Sequence, residues 1–252
     1  MLDTTILGIV QGLTEFLPVS SSAHLVFIQS LLGWQQPELF FDIMLHMATL
    51  AAVLVFFRKE ILNIAKGDWK YLFLLAAATV PTGIIGYLAK DYVETAFMSV
   101  GWAAVFLIIT GFMLLAAQKY GRSFKSHADI TLRDALIIGI IQGIAVLPGI
   151  SRSGSTIAVA MLLGIEKTEA AKFAFLLSIP AILGAAALGL NEFGAETHVA
   201  AAGHVYGAVF AFVAGLFAIY LLMKVLVKNK LTYFSYYCWA LGLIVLSLNF
   251  FK

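Results

Sequence analysis

Charge is scarce in this sequence. Only 12% of its 252 residues are Asp, Glu, Lys or Arg, against 62% hydrophobic, which is about half the charged share of an ordinary soluble domain. Such a chain cannot cover a water-facing surface. With a mean hydropathy of +0.96 it reads as a polytopic membrane protein, one bundle at this length. The net charge of +2 is too small for a nucleic-acid partner, and no basic stripe compensates. A single cysteine, Cys238, excludes an internal disulfide; set in an apolar run, it reads as a small buried hydrophobe. The start, Met-Leu-Asp, has no basic n-region, so no cleavable signal peptide is expected. Proline is also rare, with five residues, which makes the Leu-Pro steps at Pro18 and Pro148 conspicuous.

Six apolar stretches are long enough for a hydrocarbon core of about 30 Å, which takes about 20 helical residues. They lie near Leu39–Phe57, Tyr71–Ala89, Val100–Gln118, Phe173–Leu190, Val205–Val227 and Tyr233–Phe251. Two others, Thr5–Leu17 and Ala135–Leu147, stop at a Leu-Pro after about 20 Å of helix. A serine-rich break and another short apolar piece follow each. Too short to span, they read as re-entrant helical hairpins, whose irregular backbone is tolerated at membrane depth only inside protein or beside a water-filled cavity.

The two hairpins resemble each other. Gly8-Ile-Val-Gln-Gly-Leu, Leu17-Pro18 and Ser20-Ser-Ser recur as Gly139-Ile-Ile-Gln-Gly-Ile, Leu147-Pro148 and Ser151-Arg-Ser. The expected organisation is one membrane domain, 1–252, made of two halves. The first, 1–118, has a hairpin at 5–32 and three spans; the second, 134–252, has a hairpin at 135–165 and three spans. An odd number of crossings inverts the second half, and inverted repeats bring their broken helices face to face near the midplane.

Positive charge sets the orientation. Arg152 aside, thirteen basic residues (Arg58, Lys59, Lys66, Lys70, Lys119, Arg122, Lys125, Arg133, Lys167, Lys172, Lys224, Lys228 and Lys230) fall on one side. Only Lys90 and Lys252 fall opposite, and the 191–203 loop has none. Both termini are expected outside the cytoplasm. The basic loops need no ligand beyond lipid headgroups.

The densest chemistry is at Pro148-Gly-Ile-Ser-Arg-Ser-Gly-Ser-Thr156, where an arginine and four hydroxyls sit between uncharged apolar runs. A mid-membrane arginine costs about 2.5–3.5 kcal/mol on insertion scales and is a functional residue by default. A helix restarting near Ser151 would aim its free N–H groups and positive dipole end at the same spot as Arg152, a phosphate cradle. The alternative is a helix contact with Arg152 snorkelling to a headgroup.

In the first hairpin Gln11 and Glu15, four apart, share a helix face. Their oxygens suit a hard divalent cation bridging to phosphate. Ser20, Ser21, Ser22 and His24 follow, and imidazole can transfer protons or attack phosphorus. Facing Arg152, these groups are what phosphoryl transfer needs, since positioning and charge stabilisation supply most of its rate. Asp42 and His46 also lie four apart. They either form a shell around Glu15 or, as preferred here, sit at the outer interface and bond within the bundle.

Gln11-Gly-Leu-Thr-Glu-Phe-Leu-Pro-Val-Ser-Ser-Ser-Ala-His24 and Leu147-Pro-Gly-Ile-Ser-Arg-Ser-Gly-Ser-Thr156 resemble the two signature motifs of the bacitracin-resistance type of undecaprenyl-diphosphatase. The likeness runs nearly the whole chain. It implies an all-α bacterial inner-membrane enzyme of six spans and two re-entrant hairpins in inverted repeats. Such an enzyme hydrolyses a polyprenyl diphosphate lipid, undecaprenyl diphosphate, to undecaprenyl phosphate and inorganic phosphate. That recycles the lipid carrier of peptidoglycan synthesis and confers bacitracin resistance. The active site would open to the extracytoplasmic side, membrane lipids would surround the chain, and a homodimer is compatible.

By the resemblance, Glu15, Ser21, His24 and Arg152 are the catalytic set. Ser20, Ser22, Ser151, Arg152, Ser153 and Thr156 would hold the substrate's phosphates, and Glu15 with Gln11 a divalent cation, Mg²⁺ or Ca²⁺. One position departs from the pattern: Gln11 stands where well-known members carry glutamate. The alternatives are a polyprenyl-phosphate carrier, suggested by the broken-helix architecture, and an anion channel, which leaves Glu15 and His24 without a task.

Overall fold

Leu-Pro punctuation and hydroxyl caps cut the chain close to where the sequence implies. In a computed structural model, which describes residues 1–33, 39–97, 99–192 and 202–250, helix α1 (Leu2–Phe16) stops as Leu17 turns extended, with ψ 142°. The ring of Pro18 disfavours helical backbone at the residue before it. Helix α2 (Ser21–Leu31) restarts behind Ser20, whose hydroxyl accepts from the Ala23 N–H. In the second half α8 (Leu132–Ile144) ends at Ala145, short of the Leu147-Pro148 step where the sequence placed its end, and α9 (Arg152–Leu162) restarts capped by Ser151, which accepts from Gly154 N–H. Arg152 is thus the first residue of a capped helix, as expected.

Between and after these broken pairs run α3 (Leu39–Phe56), α4 (Arg58–Gly67), α5 (Trp69–Leu88), α6 (Lys90–Phe97), α7 (Val100–Tyr120), α10 (Lys167–Glu192), α11 (Ala202–Val227) and α12 (Thr232–Phe250). A 3₁₀ turn at His127–Asp129 lies in the link between halves. Among the described residues there is no strand beyond one isolated bridge, Lys125 to Ile165. Among the described residues, four helices are long and apolar enough to cross a membrane: Trp69–Leu88, Val100–Tyr120, Lys167–Gly189 and Ala202–Val227. A fifth span results if α3 and α4, bent by 70°, are one broken element.

Two expected spans are not among these four. Leu39–Phe57 is α3, turning sharply into α4, where Arg58, Lys59 and Lys66 are exposed and only Ile64 is buried. Tyr233–Phe251 coincides with the 19-residue helix α12. Phe251, Lys252 and most of the 191–203 loop lie outside the described residues. Pro81 and Pro180 sit inside continuous helices, α5 and α10.

The packing crosses between the halves. α1 lies chiefly on α11, α8 on α5, and α7 on α12. Glycines permit the first two contacts. A Cβ on Gly8 would stand 2.1 Å from the Gly207 carbonyl oxygen, and one on Gly139 2.1 Å from that of Ala78. One turn later Gly12 and Gly143 repeat the pattern, against Ala211 and Ile85. Each half-helix thus uses a Gly-x-x-x-Gly face to approach a helix of the other half, the usual device where lipid removes any hydrophobic drive between helices.

The link between halves is tied down by ion pairs at the basic end. Lys125 Nζ meets Asp134 at 2.8 Å, and His127 stacks on Tyr71 with ring centres 4.2 Å apart. The hydrogen bond from His127 to Asp68 holds the Asp68 carboxyl below its usual range.

Candidate active site

The two breaks meet. Each contains one residue at positive φ, Ser20 at 66° and Gly149 at 105°, and these two touch. The Gly149 N–H donates to Ser20 Oγ at 3.2 Å, and the Ser153 hydroxyl donates to the Leu17 carbonyl at 3.3 Å. Gly149 also lies so close to α7 that a Cβ would fall 2.2 Å from the Ala103 carbonyl oxygen. Positive φ at a serine costs about 1–3 kcal/mol, tolerated here because Ser20 Oγ is held from both sides. The second break is braced by Thr110 of α7, which donates to the Gly149 carbonyl at 2.9 Å and accepts from Ser151 N–H at 3.0 Å.

Across this junction Glu15 and Arg152 pair. Arg152 Nη2 donates to Glu15 Oε1 at 2.6 Å, with only 4% of the Glu15 side chain exposed and 23% of Arg152. Oε2 is equally engaged, accepting from Ser21 Oγ at 2.6 Å and Gln11 Nε2 at 2.9 Å, with His46 Nε2 at 3.7 Å. His46 donates from Nδ1 to the Asp42 carbonyl at 2.7 Å, so Nε2 is the atom turned to Glu15. The preferred expectation for His46, bonding only within the bundle, therefore gives way to the other reading: it belongs to the Glu15 surroundings. Asp42 instead accepts from Gln29 at 3.2 Å. A small cavity opens at the ion pair, lined by Glu15, Phe16, Arg152, Ser153, Phe175 and Ser178 among others.

The other expected site residues divide. Ser22 Oγ lies 3.1 Å from Ser20 Oγ, and Ser151 Oγ 3.4 Å from Ser153 Oγ, so both clusters flank the junction. Thr156 turns back on its helix, donating to the Arg152 carbonyl at 2.7 Å. His24 does not join Glu15 and Arg152. Its Nδ1 reaches the Ser20 carbonyl at 2.8 Å and its Nε2 the Tyr237 hydroxyl at 2.7 Å. Thr110 and Tyr237 were not singled out from the sequence. Thr110 carried a usable signal, a lone hydroxyl within a long apolar span.

Two oxygens bear on a cation. Among the described residues no three His, Cys, Asp or Glu side chains gather as a metal cage. Gln11 Oε1, however, is buried without a hydrogen-bond partner, one helical turn before Glu15. A buried acceptor left bare costs about 1–3 kcal/mol, and a cation would satisfy it. Gln142, its counterpart in α8, has a bare Oε1 as well, but one turn on it has Val146, not a carboxylate. The donor set therefore fits a hard cation only at the first hairpin, and only if oxygens of a ligand complete it.

Broken helices meeting at a buried carboxylate–guanidinium pair, flanked by hydroxyls and enclosed by apolar helices, define a polytopic membrane protein. A family model described as "Bacitracin resistance protein BacA" matches residues 4–244, and the chain belongs to that family. It is similar to the undecaprenyl-diphosphatase of Carboxydothermus hydrogenoformans, 47% identical over 250 residues, covering 97% of this chain and 95% of the relative. The undecaprenyl-diphosphatases of Methanococcus vannielii and Halothermothrix orenii are 40% and 41% identical, over 97% and 96% of this chain and 99% and 95% of theirs.

Proposed function

We propose that this protein hydrolyses undecaprenyl diphosphate to undecaprenyl phosphate and inorganic phosphate, returning the lipid carrier to peptidoglycan synthesis and giving resistance to bacitracin. The observation that carries the reading is the Glu15–Arg152 pair at the junction of the two breaks, with Ser21 hydrogen-bonded to the same carboxylate. Relatives 40% and 47% identical bear the name of this activity. A carrier of polyprenyl phosphate needs a cradle but no nucleophile and base; here they lie 2.6 Å apart.

Chemistry follows from the contacts. The terminal phosphate takes the place of Glu15 on the Arg152 guanidinium, whose planar donors suit phosphate oxygens. Ser21 Oγ gives its proton to Glu15 and bonds to the terminal phosphorus, and the bridging P–O bond breaks to release undecaprenyl phosphate. Glu15 passes that proton to the departing undecaprenyl phosphate; water then attacks the phosphoserine, gives a proton to the freed carboxylate, and inorganic phosphate leaves as Glu15 returns the proton to Ser21 Oγ. Arg152, with the hydroxyls of Ser20, Ser22, Ser151 and Ser153 and the N-terminus of α9, stabilises the charge spread over the equatorial oxygens. Glu15 and Gln11 Oε1 would hold a divalent cation, Mg²⁺ or Ca²⁺, which supplies further neutralisation of the diphosphate.

In this reading the chain has six crossings and two re-entrant hairpins in inverted repeats, 1–118 and 134–252. The reciprocal packing of α1 on α11 and α8 on α5 supports it. Both termini and the site's mouth face outside a bacterial inner membrane. Cysteines at Asp91 and Arg122, introduced into a Cys238→Ala background, should be labelled from opposite faces of oriented vesicles. Labelling from one face would refute the inversion.

The activity test is phosphate release from a long-chain prenyl diphosphate, with and without Mg²⁺ or Ca²⁺, in wild type, Glu15→Gln and Gln11→Glu. Wild type should release phosphate in a metal-dependent manner. Glu15→Gln should lose about three orders of magnitude, as expected where a base and a charge partner are removed together. Gln11→Glu should retain activity and need less metal. Wild type that binds the lipid yet releases nothing under any condition would move the assignment to a carrier.

A further inference from the structure

Between Lys172 and Asn191 the sequence of α10 has one polar side chain, Ser178. It is buried at 6% exposure and lines the small cavity that opens at the Glu15–Arg152 pair. The polar residues described around that cavity are Glu15, Arg152, Ser153 and Ser178. The first three stand on the hairpins and already take part in the mechanism above. Ser178 comes from a third element, and the rest of the wall that α10 supplies is apolar, Ala174 and Phe175.

The hydroxyl is free to act. It donates to the Phe175 carbonyl at 2.7 Å, but the helix ladder also gives that carbonyl the Ile179 N–H. Turning the proton toward an incoming anion therefore leaves no backbone group unpaired. The register of Ser178 has a counterpart in the first half. Phe41 stands five residues before His46 in α3, and Phe173 five before Ser178 in α10, both phenylalanines fully buried. Each long helix that follows a hairpin thus turns one polar residue to the junction, His46 to Glu15 and Ser178 to the cavity.

We propose that Ser178 is a substrate-binding residue, donating its hydroxyl proton to a phosphate oxygen of the diphosphate that parts Glu15 from Arg152. The proposal rests on the phosphatase reading and extends the cradle from the two hairpins to α10. Of the described side chains that α10 gives the cavity, Ser178 alone can donate a hydrogen bond. A phosphate oxygen turned to that wall has this hydroxyl as its donor. The bond is made to bound substrate as well as to the transition state, so its loss raises KM more than it lowers kcat.

The experiment compares Ser178→Ala with Ser247→Ala, whose hydroxyl bonds to its own helix in the same manner, to the Leu243 carbonyl, on an exposed face of α12. Turnover is followed with a long-chain prenyl diphosphate. Binding is followed with a prenyl methylenediphosphonate, whose P–C–P bridge resists hydrolysis. Ser178→Ala should raise KM and weaken probe binding about tenfold, the lower end of what a hydrogen bond to a charged group is worth. Its kcat should stay within about threefold of wild type, and its unfolding midpoint should not move. Ser247→Ala should match wild type throughout. Wild-type KM and probe affinity in Ser178→Ala overturn the assignment. So does a weaker affinity that comes with a lower unfolding midpoint, or an equal loss in Ser247→Ala. A wild type that binds the probe but releases no phosphate overturns the phosphatase reading alone, and the probe affinity of Ser178→Ala then decides the assignment. A wild type that does neither overturns both.

Discussion

Replacing Arg152 with alanine is expected to lower phosphate release by about a thousandfold or more, the range seen when a charge-stabilising arginine is removed from phosphoryl transfer. The same change should destabilise the protein. Arg152 is the one described guanidinium on Glu15, whose side chain is 4% exposed, and a buried charge stripped of its partner costs about 3–5 kcal/mol. Arg152 itself keeps 23% exposure, which argues for the lower end. The two losses separate in a double variant. Glu15→Gln with Arg152→Ala removes both charges, so thermal stability should return most of the way while phosphate release stays absent. Recovery of both together would mean the pair is a structural strut; a near-wild-type rate in Arg152→Ala alone would end the cradle assignment.

The second large effect is structural. Gly8→Ala and Gly139→Ala should each lower stability by about 3 kcal/mol, at the upper end of what overpacking usually costs. The obstruction in both is backbone, a carbonyl oxygen 2.1 Å from the new methyl, and a backbone cannot swing aside. The helices would have to separate, and the face that separates is the one carrying Gln11 or Gln142. Gly83 is the matching control, with nothing within 4 Å of its Cβ position. Alanine there should leave stability unchanged or raise it by up to about 1 kcal/mol, since glycine is a poor helix residue. Thermal unfolding in detergent measures all three, and equal midpoints would remove the close-packed faces from the account.

The breaks were legible because proline and a capping hydroxyl act locally. Leu17-Pro18 ends α1, and Ser20 and Ser151 restart α2 and α9, whatever surrounds them, while α8 already stops at Ile144, before its Leu-Pro step. Glu15 and Arg152 were legible for a different reason: in a sequence with 12% charge, a carboxylate and a guanidinium set in apolar runs must find each other or a ligand. Tyr237 was not legible. It sits beside Tyr233 and Tyr236 on a helix where tyrosine also suits the membrane boundary, and only the fold brings it to His24. His46 failed similarly, since its role depends on the face α3 turns to α1. The 70° bend after Phe56 was missed because it follows a full-length apolar run and no proline marks it.

The reciprocal packing has a consequence for how the protein is made. When α1 and α2 leave the ribosome, the helix that α1 needs, α11, lies some 200 residues away. Until it arrives, the Gly8–Gly12 face of α1 has no helix to pack on, and Glu15 has Ser21 and Gln11 but not Arg152. The first hairpin therefore completes its packing only when the second half has been made. Neither half is a domain in the sense of something that can mature by itself. A chain released early would present to quality control an unpaired acid and a naked helix end, both strong marks of an unfinished protein.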